Sequence, residues 1–135
     1  MNRDDFPFLN QDIVYFDNGA TSLKPECVLE AMDDYYRNYP ANIHRGDYAI
    51  SLKASNAYEE VRNKVAKFIG AESPEEIVFT SGATDGMNKI VFGFMQDYLN
   101  EGDEVLLTKA EHASNVLPWF ELERTKKIKI RYIPL

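Results

Sequence analysis

Ile77-Val78-Phe79-Thr80-Ser81-Gly82-Ala83-Thr84-Asp85-Gly86 is the stretch where a short apolar run breaks into small and hydroxyl-bearing residues and opens a long amphipathic segment. It predicts strand, tight turn and helix. Ile77, Val78 and Phe79 are β-branched or aromatic and too few for a helix, which suits a buried parallel strand. After the turn, Met87, Ile90, Val91, Phe94, Met95, Tyr98 and Leu99 fall on one face of a 3.6-residue helix. The junction Ser81 to Thr84 therefore sits at a helix N-terminus, where the first N–H groups lack intrahelical partners and the macrodipole favours an anion. Gly82 and Ala83 leave the backbone open to such an anion, and the hydroxyls of Ser81 and Thr84 offer further donors. The same residues also fit an ordinary turn, with Ser81 or Thr84 as N-cap.

Downstream, Asn100 to Asp103 is a predicted turn and Glu104 to Thr108 a second strand. Lys109 to Asn115 (KAEHASN) is a loop, Val116 to Arg124 a helix, and Ile128 to Ile133 a third strand whose alternation with Lys129 and Arg131 suits a half-solvated edge. The order β, α, β, α, β implies right-handed crossovers, hence an α/β fold with a mainly parallel sheet and flanking helices. A sheet of three parallel strands that stops on its last strand has two open edges, so the sequence is expected to be the front part of a larger protein.

Upstream, residues 1–12 mix polar positions with Phe6, Phe8 and Leu9 and read as an N-terminal arm, extended or partly helical. Ile13 to Phe16 is a brief apolar run, and Asp17 to Ser22 (DNGATS) is dense in turn formers. Pro25 to Tyr39 is a predicted helix ended by Pro40, with Val28, Met32, Tyr35, Tyr36 and Tyr39 as its stripe. Ala41 to Ile50 has no period and holds His44, Arg45 and Gly46 in succession. A second helix starts near Ser51 and ends at Gly70 as C-cap. Ser73 and Glu76 have capping-box spacing. Residues 1–22 thus divide from 23–135 as arm and leading loop from the α/β part.

Composition narrows the function classes. With 135 residues, 44% of them hydrophobic and 13% aromatic, the chain has material for a modest core. Fifteen basic against 22 acidic residues give a formal charge of −7, which argues against a general nucleic-acid surface or an anionic-membrane surface. Any phosphate must be held by local dipoles and a few placed groups. No run approaches the roughly 18 apolar residues of a membrane span, and the leading residues lack a signal core, so the expected location is cytoplasmic. The single cysteine, Cys27, rules out an internal disulfide, and two histidines, His44 and His112, leave no ligand spacing for a metal.

Five short motifs, in order, resemble the pyridoxal-phosphate-dependent cysteine desulfurases of group II, within the class V aminotransferase superfamily. They are YFDNGATSLKP, NIHRG with a following serine, YEEVRNKVAKFI, EEIVFTSGATDGMN and GDEVLLTKAEHASNVLPW. The resemblance runs from about Ile13 to the last residue. It implies part of a fold-type I large domain, with pyridoxal 5'-phosphate as cofactor and L-cysteine or L-selenocysteine as substrate. It also implies a homodimer and a protein that accepts persulfide sulfur. Gly82, Ala83 and Thr84 would hold the cofactor phosphate, and His112 would stack on its ring and serve acid–base steps. Asn18, Gly19 and Ala20 would line the substrate side, and His44 and Arg45 would lie at the entrance. Asn115 would order the loop after His112 or cap the next helix, and Trp119 would pack. Gly19 and Ala113 depart from the family pattern, which has alanine and often a second histidine there. The lysine that attaches the cofactor, its acidic partner and the sulfur-accepting cysteine would all lie beyond Leu135, with Cys27 a packing or surface thiol. The 135 residues alone are then expected to lack turnover. A selenocysteine lyase, another class V enzyme, and a non-catalytic remnant that keeps the phosphate turn are the alternatives.

Overall fold

The computed structural model describes residues 2–134, which divide into two compact units at Ile77 and Val78. In the first unit, two 3-10 turns, Arg3–Asp5 and Pro7–Asn10, fold the arm. Arg3 holds them by donating to the carbonyls of Leu9 and Ile13. Helix α1 spans Glu26–Asn38, with Pro25 as its N-cap rather than its first residue. Helix α2 spans Ala49–Ile69 and ends on Gly70 at φ 74°, the left-handed cap expected of glycine. It buries Ser51, Ala54 and Ala66. The Ser73/Glu76 capping box forms and opens a 3-10 turn over Pro74–Glu76. Arg62 then reaches from α2 to donate to the carbonyl of Ile77.

The predicted strand at Ile77 to Phe79, where the two units divide, is not one. Residues 77–80 carry no strand assignment, and the sheet of the described residues has two strands. Apolar, β-branched character favours extended backbone, but a strand exists only where a neighbouring ladder supplies its hydrogen bonds. Ile77 is buried while Val78 is 70% exposed.

In the second unit, the long helix begins as α3, Ala83–Asn88, widens into a π-helix over Lys89–Met95, and closes as α4, Gln96–Tyr98. Strand β1, Glu104–Thr108, pairs in parallel with β2, Lys129–Ile133, in the register Val105 to Ile130 and Leu107 to Tyr132. Between them α5 spans Ala113–Lys126, three residues earlier and two later than the periodicity predicts. Asp103 accepts from the Lys129 N–H at 2.8 Å, and Glu104 pairs with Arg131 at 2.8 Å, which sets the strand register. The core of this unit is Val91, Leu122 and Ile128, with Phe92, Leu99, Val105 and Trp119 packed around them. Helix–strand packing of this kind, with a parallel pair and its crossover helix, is the α/β arrangement the sequence predicts.

Candidate functional site

The turn before α3 is built by Gly82. Its φ of 157° and ψ of 177° lie in a region that side-chain-bearing residues rarely enter. That backbone aims Ala83 and Thr84 into the helix, whose first internal hydrogen bond runs from the Gly86 N–H to the Gly82 carbonyl at 3.0 Å. The N–H groups of Ala83, Thr84 and Asp85 precede that bond, and no side chain caps them. Neither Ser81 nor Thr84 is the cap. Asp85 turns back instead, accepting from the Ser81 N–H at 3.0 Å and pairing with Lys89. These two contacts, the Lys89 ammonium first, hold the Asp85 carboxyl below its usual range. An anion at the turn meets three open N–H groups and the Thr84 hydroxyl. The nearby carboxylate is offset by its lysine.

The loop from β1 to α5 carries the second set of groups. His112 is the N-cap of α5, its Nδ1 accepting from the Ser114 N–H at 3.2 Å. Behind it runs a chain of hydrogen bonds that ties strand end to helix. The Thr108 hydroxyl donates to Glu111 at 2.8 Å, the Asn115 amide donates to the other Glu111 oxygen at 3.0 Å, and the Trp119 indole donates to Asn115 at 3.3 Å. The Asn115 and Thr108 donors hold the Glu111 carboxyl below its usual range. Asn115 is thus no cap: it orders the loop from inside the helix. Trp119 both packs on the core and closes this chain.

Thr84 shares a cleft of about 290 Å³ with the first turns of α5, while His112, Glu111, Asn115 and Trp119 are not among its lining. Thr84, Asn88 and Phe92 line one side, and Ala113, Ser114, Leu117, Pro118 and Glu121 line the other. His112 lies next to Ala113 at the head of α5, with its side chain exposed. A helix N-terminus with open donors, at the Thr84 end of a cleft whose far wall includes the Glu121 carboxylate, fits a phosphorylated group whose phosphate sits at the Thr84 end.

The remaining candidate residues lie in the first unit. Asn18, Gly19 and Ala20 form a tight turn closed by the Ala20 and Thr21 N–H groups on the Asp17 carbonyl. Tyr15 clamps it, donating to the Thr21 carbonyl at 2.7 Å. A Cβ on Gly19 would meet nothing within 4 Å, so the alanine usual in the family is sterically admissible there. His44 adopts φ 60°, donates its N–H to the Ser55 hydroxyl at 2.9 Å, and lies 3.1 Å from Glu59 through Nε2. Arg45 is exposed and makes no ion pair among the described residues. Gly46 is forced by space: a Cβ there would fall 2.6 Å from both Ser51 Oγ and Tyr48 Cε1. Ser51, buried and donating to the Asn42 carbonyl at 2.7 Å, is what this glycine makes room for. Cys27 is exposed on α1, the helix-surface thiol. Sequence reasoning passed over Tyr15, Glu59 and Glu111. For Glu111 a signal existed in its spacing of four from Asn115, itself four before Trp119, although Glu111 precedes α5.

The aminotransferase class-V family model matches residues 14–135. The chain belongs to this family. Among its class-V relatives, a protein of Synechocystis described as a probable cysteine desulfurase is 52% identical over 122 residues, 87% of this chain and 29% of the relative. The apo structure of a cysteine desulfurase from Thermococcus onnurineus superposes with a TM-score of 0.91 at 44% identity, covering 98% of this chain and 32% of the other. A C-DES mutant structure, with glycine covalently linked to its PLP cofactor, matches at a TM-score of 0.77 and 25% identity over 100% of this chain and 34% of its own. The chain therefore spans about a third of the length of the class-V proteins it matches. Among the described residues, no helix is long and apolar enough to cross a membrane.

Proposed function

We propose that the protein carrying this chain is a pyridoxal-phosphate-dependent cysteine desulfurase, and that these residues supply the phosphate turn and the ring-facing histidine. The observation that supports this reading is the cleft that Thr84 shares with Ala113 and Ser114, next to His112. Gly82 bends the chain, the Ala83 and Thr84 N–H groups and the Thr84 hydroxyl would hold the phosphate of the cofactor, and His112 would face its ring. When bound, pyridoxal phosphate supplies an electron sink for the substrate's carbon framework.

The reaction breaks the C–S bond of L-cysteine. Sulfur passes to a protein thiolate as a persulfide, and the β-carbon takes a proton to give L-alanine. His112 moves a proton at Nε2, Arg45 attracts the substrate carboxylate at the entrance with His44 beside it, and Asn18, Gly19 and Ala20 bound the substrate side. Residues 1–22 act as arm and substrate-side loop, and residues 23–135 as cofactor-binding part. The persulfide passes on to an acceptor protein for iron–sulfur assembly or other sulfur transfer. The working form is a cytoplasmic homodimer, and the 135 residues alone do not turn over.

In the holoenzyme, Thr84→Val is expected to raise the dissociation constant for pyridoxal phosphate roughly tenfold or more, the loss of one hydrogen bond to a charged group. His112→Asn keeps a good N-cap residue and removes the imidazole. It is expected to cut the release of alanine from cysteine by about 100-fold or more, with thermal stability unchanged. Retention of full cofactor affinity by the first variant and full activity by the second would overturn the reading.

A further inference from the structure

His112 touches Ser114 twice. Nδ1 lies 3.2 Å from the Ser114 backbone nitrogen and 2.8 Å from its hydroxyl oxygen. A peptide N–H can only donate, so Nδ1 must present its lone pair. In a neutral imidazole the proton then has one place left, Nε2. The hydroxyl can donate or accept, so at 2.8 Å it takes its role from the ring: with Nδ1 unprotonated it donates, sharing the one lone pair with the N–H. Move the ring proton to Nδ1 and the N–H of Ser114 faces another N–H, the helix loses its cap, and the hydroxyl has to turn round.

We propose that Ser114 is a positioning residue for His112: its backbone N–H locks the imidazole in the Nε2–H tautomer, and its hydroxyl follows the ring. The ring then offers its exchangeable proton from one defined atom. Its meaning for catalysis rests on the cofactor reading above, but the tautomer does not. The arrangement divides the imidazole into two functions. Nδ1 is spent on the helix, and with it the rotation of the ring about its side-chain bonds. Nε2, on the far edge, is the atom left for chemistry. A histidine with both nitrogens in water would exchange tautomers freely. Ser114 makes that exchange cost a hydrogen bond. Ser114 also lines the cleft with Thr84, so the lock is set at the cleft wall itself.

The test is the holoenzyme labelled with 15N at histidine, read by two-bond proton–nitrogen correlation at a pH where the ring is neutral. His112→Asn identifies the resonances of position 112. The wild-type ring is expected to show an unprotonated Nδ1 and a protonated Nε2. Ser114→Ala and Ser114→Thr keep the backbone donor and are expected to keep the wild-type pattern. Ser114→Pro removes that N–H, and the share of Nδ1–H tautomer is expected to rise roughly two- to tenfold, the equivalent of one ordinary hydrogen bond. A wild-type ring protonated on Nδ1, or a Ser114→Pro spectrum with an unchanged tautomer ratio, overturns the proposal. These outcomes are independent of Thr84→Val and His112→Asn, whose failure would remove the cofactor reading and leave the tautomer result standing.

Discussion

At Gly82 a single backbone conformation decides whether the α3 N–H groups face outward together. A Cβ there would meet no neighbour within 4 Å, so crowding is not what demands glycine. The demand is torsional, since φ 157° with ψ 177° costs a side-chain-bearing residue about 1–3 kcal/mol. Gly82→Ala is therefore expected to lower stability by about that amount, or to flip the turn and weaken phosphate binding with little loss of stability. Chemical unfolding and phosphate-analogue titration on the same variant separate the two responses, and no change in either would show that the turn tolerates a side chain. This residue was legible in the sequence because a glycine among small and hydroxyl residues, between an apolar run and a helical stripe, marks a tight turn. His112 was legible only as a histidine in a loop. Its capping role depends on a φ of −68° and ψ of 147° at one position, which no spacing rule announces.

Among the elements, the helix from α3 to α4 shows what periodicity can and cannot tell. The predicted stripe placed Ile90, Phe94 and Tyr98 inside, yet all three are exposed. The residues turned inward are Met87, Val91, Met95 and Leu99, an even step of four, beside Asn88, Phe92 and Gln96 at the same step. The cause is the π-helix over Lys89–Met95, whose i to i+5 bonds take more residues per turn than the 3.6 of an α-helix. The predicted stripe still contains the inward Met87, Val91, Met95 and Leu99, and it errs at Ile90, Phe94 and Tyr98, each one residue before an inward position. The strands fared differently: the apolar run of β1 and the alternation of β2 were both found, whereas Ile77 to Phe79 has strand composition without a ladder.

The β1–α5 connection carries a test of its own. Glu111 has its pKa lowered from the ordinary 4.5 by the Asn115 and Thr108 donors. A carboxyl lowered on folding stabilises fully above its unfolded pKa, and that contribution fades as pH falls through the folded value. Glu111→Gln is thus expected to melt below wild type at pH 7, with the gap constant down to about pH 5 and closing below pH 4.5. A gap at pH 3 as wide as at pH 7 would mean that the carboxylate charge is not what ties the loop.

On the scale of the whole molecule, stability of the second unit concentrates in few side chains. Val91, Leu122 and Ile128 are at most 2% exposed. Leu122→Ala removes the α5 contribution to that cluster and is expected to cost about 2–5 kcal/mol, a large part of the 5–15 kcal/mol typical of a folded domain. Denaturant unfolding measures it, and a loss under about 1 kcal/mol would show that the cluster is not the core. The parallel pair at its centre has a further consequence. Leu106 is 63% exposed and Tyr132 and Ile133 stand open beside it, on strands whose hydrogen-bonding edges each have one partner among the described residues. Such a ribbon is a seam that any extended segment of matching pattern can lengthen. Handled by itself, the chain owes its fate in concentrated solution less to a surplus of acid groups than to whatever is laid alongside those two strands.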